Sequence, residues 1–416
     1  MTKTRILTHV LSSFHDRLTS TKTQCFSSVR LFPPMLNASF AMSKASNGQA
    51  NLKPTIQASS NMRDQNVDRN SPAESSKGFE CRFLMSHSNE SAESNSSDSN
   101  YRTKELRIPT PYGHVAAKEW GNPKGKHKIL CVHGWLDNAG SFDLLLPLLL
   151  EGRSDYHFVA MDHPGTGLSS HKPPGCEYTK FTMLIEIKRI TEYLQWDKFT
   201  ILGHSLGSHL TFMYACIYPE CVLNVVSIDL TQPIIQSVKG WNIRSASSIR
   251  EYLRFESQTE DDPEKNDKIP VYSELEALKR IMEAHASSLT EKSARVLMKR
   301  GVKKRRWGYT FTRDIRHKIP TMDPWPSEEL TYQYMENVFR ANLFVIRAKH
   351  GPYQVSEKSR LKFYDLYQKQ CKVFRDVVLD GTHHLHMNDP EPVAKEIQNF
   401  FNLVFDNSCE NFSPKL

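Results

Sequence analysis

The sequence predicts an α/β fold in which a mostly parallel, eight-stranded sheet carries helices on both faces. Three observations predict it. From about Tyr101 onward, short β-branched runs alternate with longer helical segments, the pattern of repeated strand–helix–strand units. The run KILCVH is nearly all apolar, as befits a strand covered on both faces. Finally, Gly203-His204-Ser205-Leu206-Gly207 joins the strand-like KFTIL to the apolar helical stretch 209–217.

Taken in order, strands are expected near residues 104–109, 114–120, 128–133, 157–162, 199–202, 224–229, 342–347 and 373–379. Helices are expected over 180–195 and 392–403. One connection breaks the rhythm. Residues 231–336 read as helices with a charged loop, and an insertion of that size is expected to cap the sheet's carboxyl edge, where open α/β sheets bind ligands.

The remainder of the 416 residues has a different character. A hydrophobic share of 39% and a mean hydropathy of -0.52 are low for a chain folded throughout, so a polar segment is expected. Residues 46–101 supply it. They are dominated by Ser, Asn, Asp and Glu, with too little apolar surface to offset the entropy of ordering the backbone. Residues 1–45 form a candidate targeting leader: Ile6, Leu7, Val10, Leu11, Phe14 and Leu18 recur at helical spacing, and Asp16 is the single acid. That pattern resembles a mitochondrial transit peptide. The tail, 405–416, ends Pro414-Lys415-Leu416, similar to the S-K-L peroxisomal address with proline replacing serine. Mitochondrial and peroxisomal destinations therefore compete, with the cytoplasm as the remaining intracellular option. The folded domain is expected over 102–404.

Eight cysteines without a C-x-x-C pair suggest free thiols in a reducing compartment rather than a disulfide framework. No run reaches the roughly 18 apolar residues of a membrane-spanning helix. The net charge of +8 permits an anionic partner without requiring nucleic acid, and none is expected. Between Lys292 and Lys318 lie eleven basic residues and one acid, +10 in all, so the rest of the chain sums to -2. The excess belongs to one segment of the expected cap. It reads as a solvated face or, more sharply, as an attractor for an anionic acyl substrate.

Chemistry concentrates at a few positions. Gly203–Gly207 matches G-x-S-x-G in the strand–turn–helix setting of a nucleophile elbow, which lifts the Ser205 hydroxyl above the sheet. Upstream, KILCVH ends in His133-Gly134-Trp135, an HG-type loop able to supply half of an oxyanion hole. The Trp135 and Leu206 amides are the expected donors. After the last strand comes Gly381-Thr382-His383-His384-Leu385-His386. His383, seven residues before the Pro390 that opens the last helix, is the expected base, and His384 is the runner-up. H-x-H without a further Asp-His pair does not suggest a two-metal hydrolase, and no metal or cofactor is expected. The acid is harder to place, because Ala348–Gly351 lacks the Asp that usually follows the strand there. Asp229, closing VVSID, is the best substitute and Asp380 the alternative. The glycines of Asp162–Ser169 match neither phosphate-loop pattern and read as a sharp turn.

In this order, HGW, DHPGTGLS, GHSLGS and GTHHLHMNDPE resemble the α/β-hydrolases and, more narrowly, the Kraken-type serine hydrolase-like branch. The resemblance covers about 104–404. It implies an α/β-hydrolase fold with Ser205 as nucleophile, His383 as base, and Trp135 and Leu206 as oxyanion donors. Members of that branch are described as serine hydrolases, often of unknown substrate, and some are associated with peroxisomes. Sister families, the epoxide hydrolases and haloalkane dehalogenases, attack alkyl carbon with Asp where this chain has Ser205.

The reading is therefore a serine hydrolase of a small-molecule ester or thioester, with the triad Ser205, His383 and Asp229 and no cofactor. Trp241, Tyr252, Leu253 and Phe255 of the cap would shape the acyl pocket. The alternatives are a non-catalytic binding protein of the same fold and a hydrolase acting at alkyl carbon.

Overall fold

A computed structural model describes residues 101–235, 239–259, 270–319, 327–352 and 355–406. The expected leader, the polar segment to residue 100 and the terminal Pro-Lys-Leu lie outside the described residues.

Nearly continuous apolar runs in the central strands require cover on both faces of the sheet. The first five strands are β1 (Thr103–Thr110), β2 (Gly113–Gly121), β3 (His127–Val132), β4 (Tyr156–Met161) and β5 (Phe199–His204), followed by β6 (Val222–Ile228). The hairpin β7 (Val302–Arg305) and β8 (Gly308–Phe311) comes next, then β9 (Asn342–Ala348) and β10 (Phe374–Leu379). All but the hairpin join one eight-stranded sheet in the order β1-β2-β4-β3-β5-β6-β9-β10. The β1–β2 and β2–β4 pairings are antiparallel and the other five are parallel. Every residue of β4 and β5 is buried, as central parallel strands require.

Successive side chains of a strand point to opposite faces. In β3, Leu130 and Val132 enter one core while Ile129 and Cys131 enter the other. Helices cover both. The short α1 (Leu146–Leu150) comes first, then α2 (Lys180–Tyr193) and α3 (Leu206–Ile217). The long β6–β9 connection carries α4 (Trp241–Thr259), α5 (Glu274–Ala284), α6 (Glu291–Gly301) and α7 (Glu328–Val338). Last come α8 (Glu357–Gln370), α9 (Leu385–Asn388) and α10 (Pro390–Asp406). Ile187 of α2, Leu210 of α3 and Phe363 of α8 pack on the first face. Leu146 of α1 and Ile397 and Phe400 of α10 pack on the second. The α2 helix starts where the Thr179 hydroxyl accepts the Thr182 N–H, which satisfies one of the free donors of the first turn.

The eight expected sheet strands all form. The β7–β8 hairpin was not expected, because VKKR is three-quarters charged and gives no alternating signal. Its partner GYTF holds it instead. Tyr309 and Phe311 of β8 pack against the insertion's own core of Leu278, Ile281 and Leu297, and Tyr309 bridges to Tyr272. That insertion core also includes Met387 of α9, so the insertion sits on the segment that follows β10. A buried ion pair adds to the join: Arg300 of α6 donates to Asp162 Oδ2 at 2.7 Å and also to Glu105. No helix among the described residues is long and apolar enough to cross a membrane. Cys131, Cys176, Cys216, Cys221 and Cys371 are free thiols.

Candidate active site

Ser205 sits between β5 and α3 with φ 53° and ψ -114°, a backbone conformation uncommon for a residue with a side chain. Such conformations cost about 1–3 kcal/mol and persist where the surroundings over-determine them. Here the Ser205 N–H donates to Ile228 O at 3.0 Å, and Ser205 O accepts from His209 N at 3.1 Å. A Cβ on Gly207 would lie 2.0 Å from Val132 O, and one on Gly203 would lie 2.5 Å from the Gly207 carbonyl carbon. The small residues of the elbow therefore let α3 press against β3. Leu206 opens α3, so its N–H belongs to the first turn, which has no intrahelical acceptor.

Trp135 lies in the loop after β3, and its indole Nε1 donates to His317 O at 2.8 Å. The contact ties that loop to the insertion. Within the expected pocket-shaping set, Trp241 and Leu253 are exposed.

His383 lies between β10 and α9. Its Nδ1 is 2.6 Å from Asp229 Oδ2. Asp229 directly follows β6 with φ 55°, its N–H donates to Ile346 O at 2.7 Å, and its Oδ1 accepts from Ala348 N at 2.9 Å. A Cβ on Gly351 would fall 2.4 Å from Asp229 Oδ2. The carboxylate from β6 thus fills the space in front of the loop after β9, where the sequence lacks its usual acid. Burial holds His383 below the ordinary histidine range, with the Asp229 hydrogen bond opposing it, so the ring is mainly neutral near pH 7. Asp380, the alternative acid, is exposed and faces Lys349 at 3.4 Å and His350 at 3.3 Å.

His384 turns away from Asp229. Its Nδ1 is 2.6 Å from Ser288 Oγ, and its Nε2 faces Asp137 Oδ1 at 3.5 Å. Asp137 is fully enclosed and has further histidines around it: His285 Nε2 lies 2.9 Å from Oδ1 and His204 Nδ1 lies 3.3 Å from Oδ2. Burial by itself raises a carboxyl, yet these three histidines hold Asp137 well below the carboxylate range. His204 Nε2 in turn donates to His383 O at 3.0 Å, which links the cluster to the base loop. Sequence reasoning missed Asp137 and His285. The only available signal was an acid two residues after HGW.

The Asp162–Ser169 segment is a braced turn. The Asp162 carboxylate accepts Ala139 N at 2.7 Å and Leu168 N at 2.9 Å, which leaves its remaining capacity to Arg300.

Residues 128–257 match the family model of the alpha/beta hydrolase fold. The chain is 35% identical over 305 residues to serine hydrolase-like protein 2 of Homo sapiens, covering 71% of this chain and 93% of the relative. It is 32% identical over 302 residues to the serine hydrolase-like protein of Danio rerio, covering 71% and 87%. Among solved structures it is similar to a hypothetical protein of Pseudomonas aeruginosa, with a TM-score of 0.61 and 27% identity over 73% of this chain and 99% of that one. A thioesterase domain from the curacin biosynthetic pathway shares the fold, with a TM-score of 0.57 at 21% identity over 71% of this chain and 98% of that one.

Proposed function

The chain belongs to the serine hydrolase-like, Kraken-type branch of the α/β-hydrolases, and from that premise we propose that it hydrolyses an ester or thioester through an acyl-enzyme. The observation that carries the reading is the 2.6 Å contact of His383 with Asp229, in a fold whose strained elbow presents Ser205.

With Nδ1 turned to Asp229, His383 has Nε2 for proton transfer. Ser205 Oγ attacks the acyl carbon while Nε2 takes its proton. The resulting imidazolium is stabilised by Asp229 and then protonates the leaving alcohol or thiol. Water, deprotonated by the same nitrogen, releases the acid and restores Ser205. The Trp135 and Leu206 amides receive the oxyanion of each tetrahedral intermediate. A single such donor is worth about 3–4 kcal/mol of transition-state stabilisation. The insertion acts as a cap over the acyl group.

A fluorophosphonate probe tests the reading directly. Wild type is expected to label and Ser205→Ala is not; folded wild-type protein that stays unlabelled would overturn it. Solvent oxygen appearing in a side-chain carboxylate after a single turnover would instead assign attack at alkyl carbon.

A further inference from the structure

We propose that Asp137, His285 and His384 form a binding site for one divalent transition-metal ion, enclosed between the insertion and the base loop. The three residues come from separate segments: the loop after β3, the end of α5 and the position after His383. All are buried, and their ligand atoms lie within 4.8 Å of one another. Asp137 Oδ1 is 2.9 Å from His285 Nε2 and 3.5 Å from His384 Nε2. Ligand atoms about 2.0–2.2 Å from a common tetrahedral ion stand about 3.3–3.6 Å apart. The two distances to Asp137 Oδ1 fall within and just below that spacing, and the two histidine nitrogens lie no more than 4.8 Å apart.

Hydrogen-bond bookkeeping favours an ion there. His285 Nδ1 lies 2.7 Å from Ile281 O, and a carbonyl only accepts, so Nδ1 carries the proton. His384 Nδ1 lies 2.6 Å from Ser288 Oγ, whose own hydrogen goes to His285 O at 2.8 Å. The donor is again Nδ1. In their neutral forms both rings therefore aim an Nε2 lone pair at the same carboxylate oxygen. Three electron-rich atoms facing one another in a buried site require a positive charge between them. A single proton on His285 Nε2 fills its 2.9 Å contact with Asp137 but leaves the His384 lone pair facing the carboxylate at 3.5 Å. One ion serves all three atoms, and outward N–H groups tied to a carbonyl or hydroxyl are the usual supports of metal-binding histidines. Imidazole and carboxylate donors suit zinc, cobalt or nickel rather than magnesium or calcium. The consequence is a staple: one ion fastens the insertion to the loop that carries His383.

The test uses the full chain, stripped with chelator and titrated with Co²⁺ and then Zn²⁺. Wild type is expected to take up one Co²⁺ per chain with ligand-field absorption in the visible, displaced by Zn²⁺. His285→Ala and His384→Ala are expected to lose that absorption. Ser205→Ala keeps it, so the outcome is separable from the hydrolase reading. At 100 times its dissociation constant, Zn²⁺ raises the folding equilibrium constant about 100-fold in wild type and leaves both histidine variants unmoved. Equal Co²⁺ uptake by wild type and variants, or a wild-type melting temperature unchanged by Zn²⁺, overturns the site. Should the alanine variants fail to fold, His285→Gln and the wild-type melting comparison decide.

Discussion

His383 and Asp229 meet across 154 positions of sequence, with His383 Nδ1 2.6 Å from Asp229 Oδ2. Gly351, on the neighbouring loop after β9, presents no side chain and lies directly against the same carboxylate. Two adjacent strand ends can thus reach one imidazole. The residue on only one of them is acidic.

Exchange of the acid between these strand ends is the first prediction. Asp229→Asn leaves the packing nearly unchanged but cannot stabilise the imidazolium, so kcat is expected to fall about 10³–10⁴-fold. The double variant Asp229→Ala/Gly351→Asp is expected to recover part of that loss, because a carboxylate at 351 occupies the vacated space. Ester hydrolysis by the three proteins measures it. Full activity in Asp229→Asn would remove Asp229 from the mechanism.

Most of the fold was legible because its signals are local. Continuous apolar runs such as KILCVH and the G-x-S-x-G elbow are set within a few residues by period and turn chemistry. The contact of His383 with Asp229 accords with the superfamily resemblance, in which some relatives carry an acid at the end of that neighbouring strand. What escaped notice depends on distant neighbours. The β7–β8 hairpin is held by Tyr272 and an apolar core outside its own strands. The Asp137 cluster gathers histidines 67, 148 and 247 positions away in sequence. No spacing rule joins such residues before the chain is folded.

The Arg300–Asp162 pair supports a stability prediction. Both side chains are almost completely enclosed, with the guanidinium 2.7 Å from the carboxylate. Coulombic attraction to Asp162 and hydrogen bonding to Glu105 outweigh the burial that alone would lower the Arg300 pKa, so it stands above its ordinary value. Removing one partner strands a buried charge, so Arg300→Met is expected to destabilise by about 3–5 kcal/mol in denaturant unfolding. Asp162→Asn/Arg300→Met should cost less than the sum of the single changes. Additive losses would mean the pair is not coupled.

His317 predicts acid sensitivity. Its ring lies tilted against Tyr178 with centroids 4.2 Å apart, and its Nε2 donates to Pro164 O at 2.7 Å. Burial lowers its pKa from 6.5 to about 4. Between those values the unfolded chain binds the proton and the folded chain does not. Stability is therefore complete above pH 6.5 and is lost as pH falls toward 4, by roughly 3 kcal/mol in total. His317→Gln keeps an N–H for Pro164 without titrating. Its unfolding free energy is expected to fall less steeply across that window, and parallel pH profiles for the two proteins would discard the assignment.

The basic excess can now be divided between structure and solvent. Arg295 pairs with Glu274 and Glu291, Arg300 with Asp162, and Arg316 with Asp314. Lys303, Lys304, Arg305 and Arg306, by contrast, are exposed on and beside β7. With the exposed Lys292 and Lys299 of α6 they form a basic surface, and a local excess of one charge raises the encounter rate with a substrate of the opposite one. Replacing all four with Gln is expected to raise KM several-fold for anionic esters at low salt, with kcat unchanged. Neutral esters should be nearly unaffected. The difference should shrink at 0.15 M ionic strength, where charges more than about 8 Å apart are largely screened. An equal rise in KM for neutral and anionic esters would show that the hairpin shapes the site and does not steer its substrate.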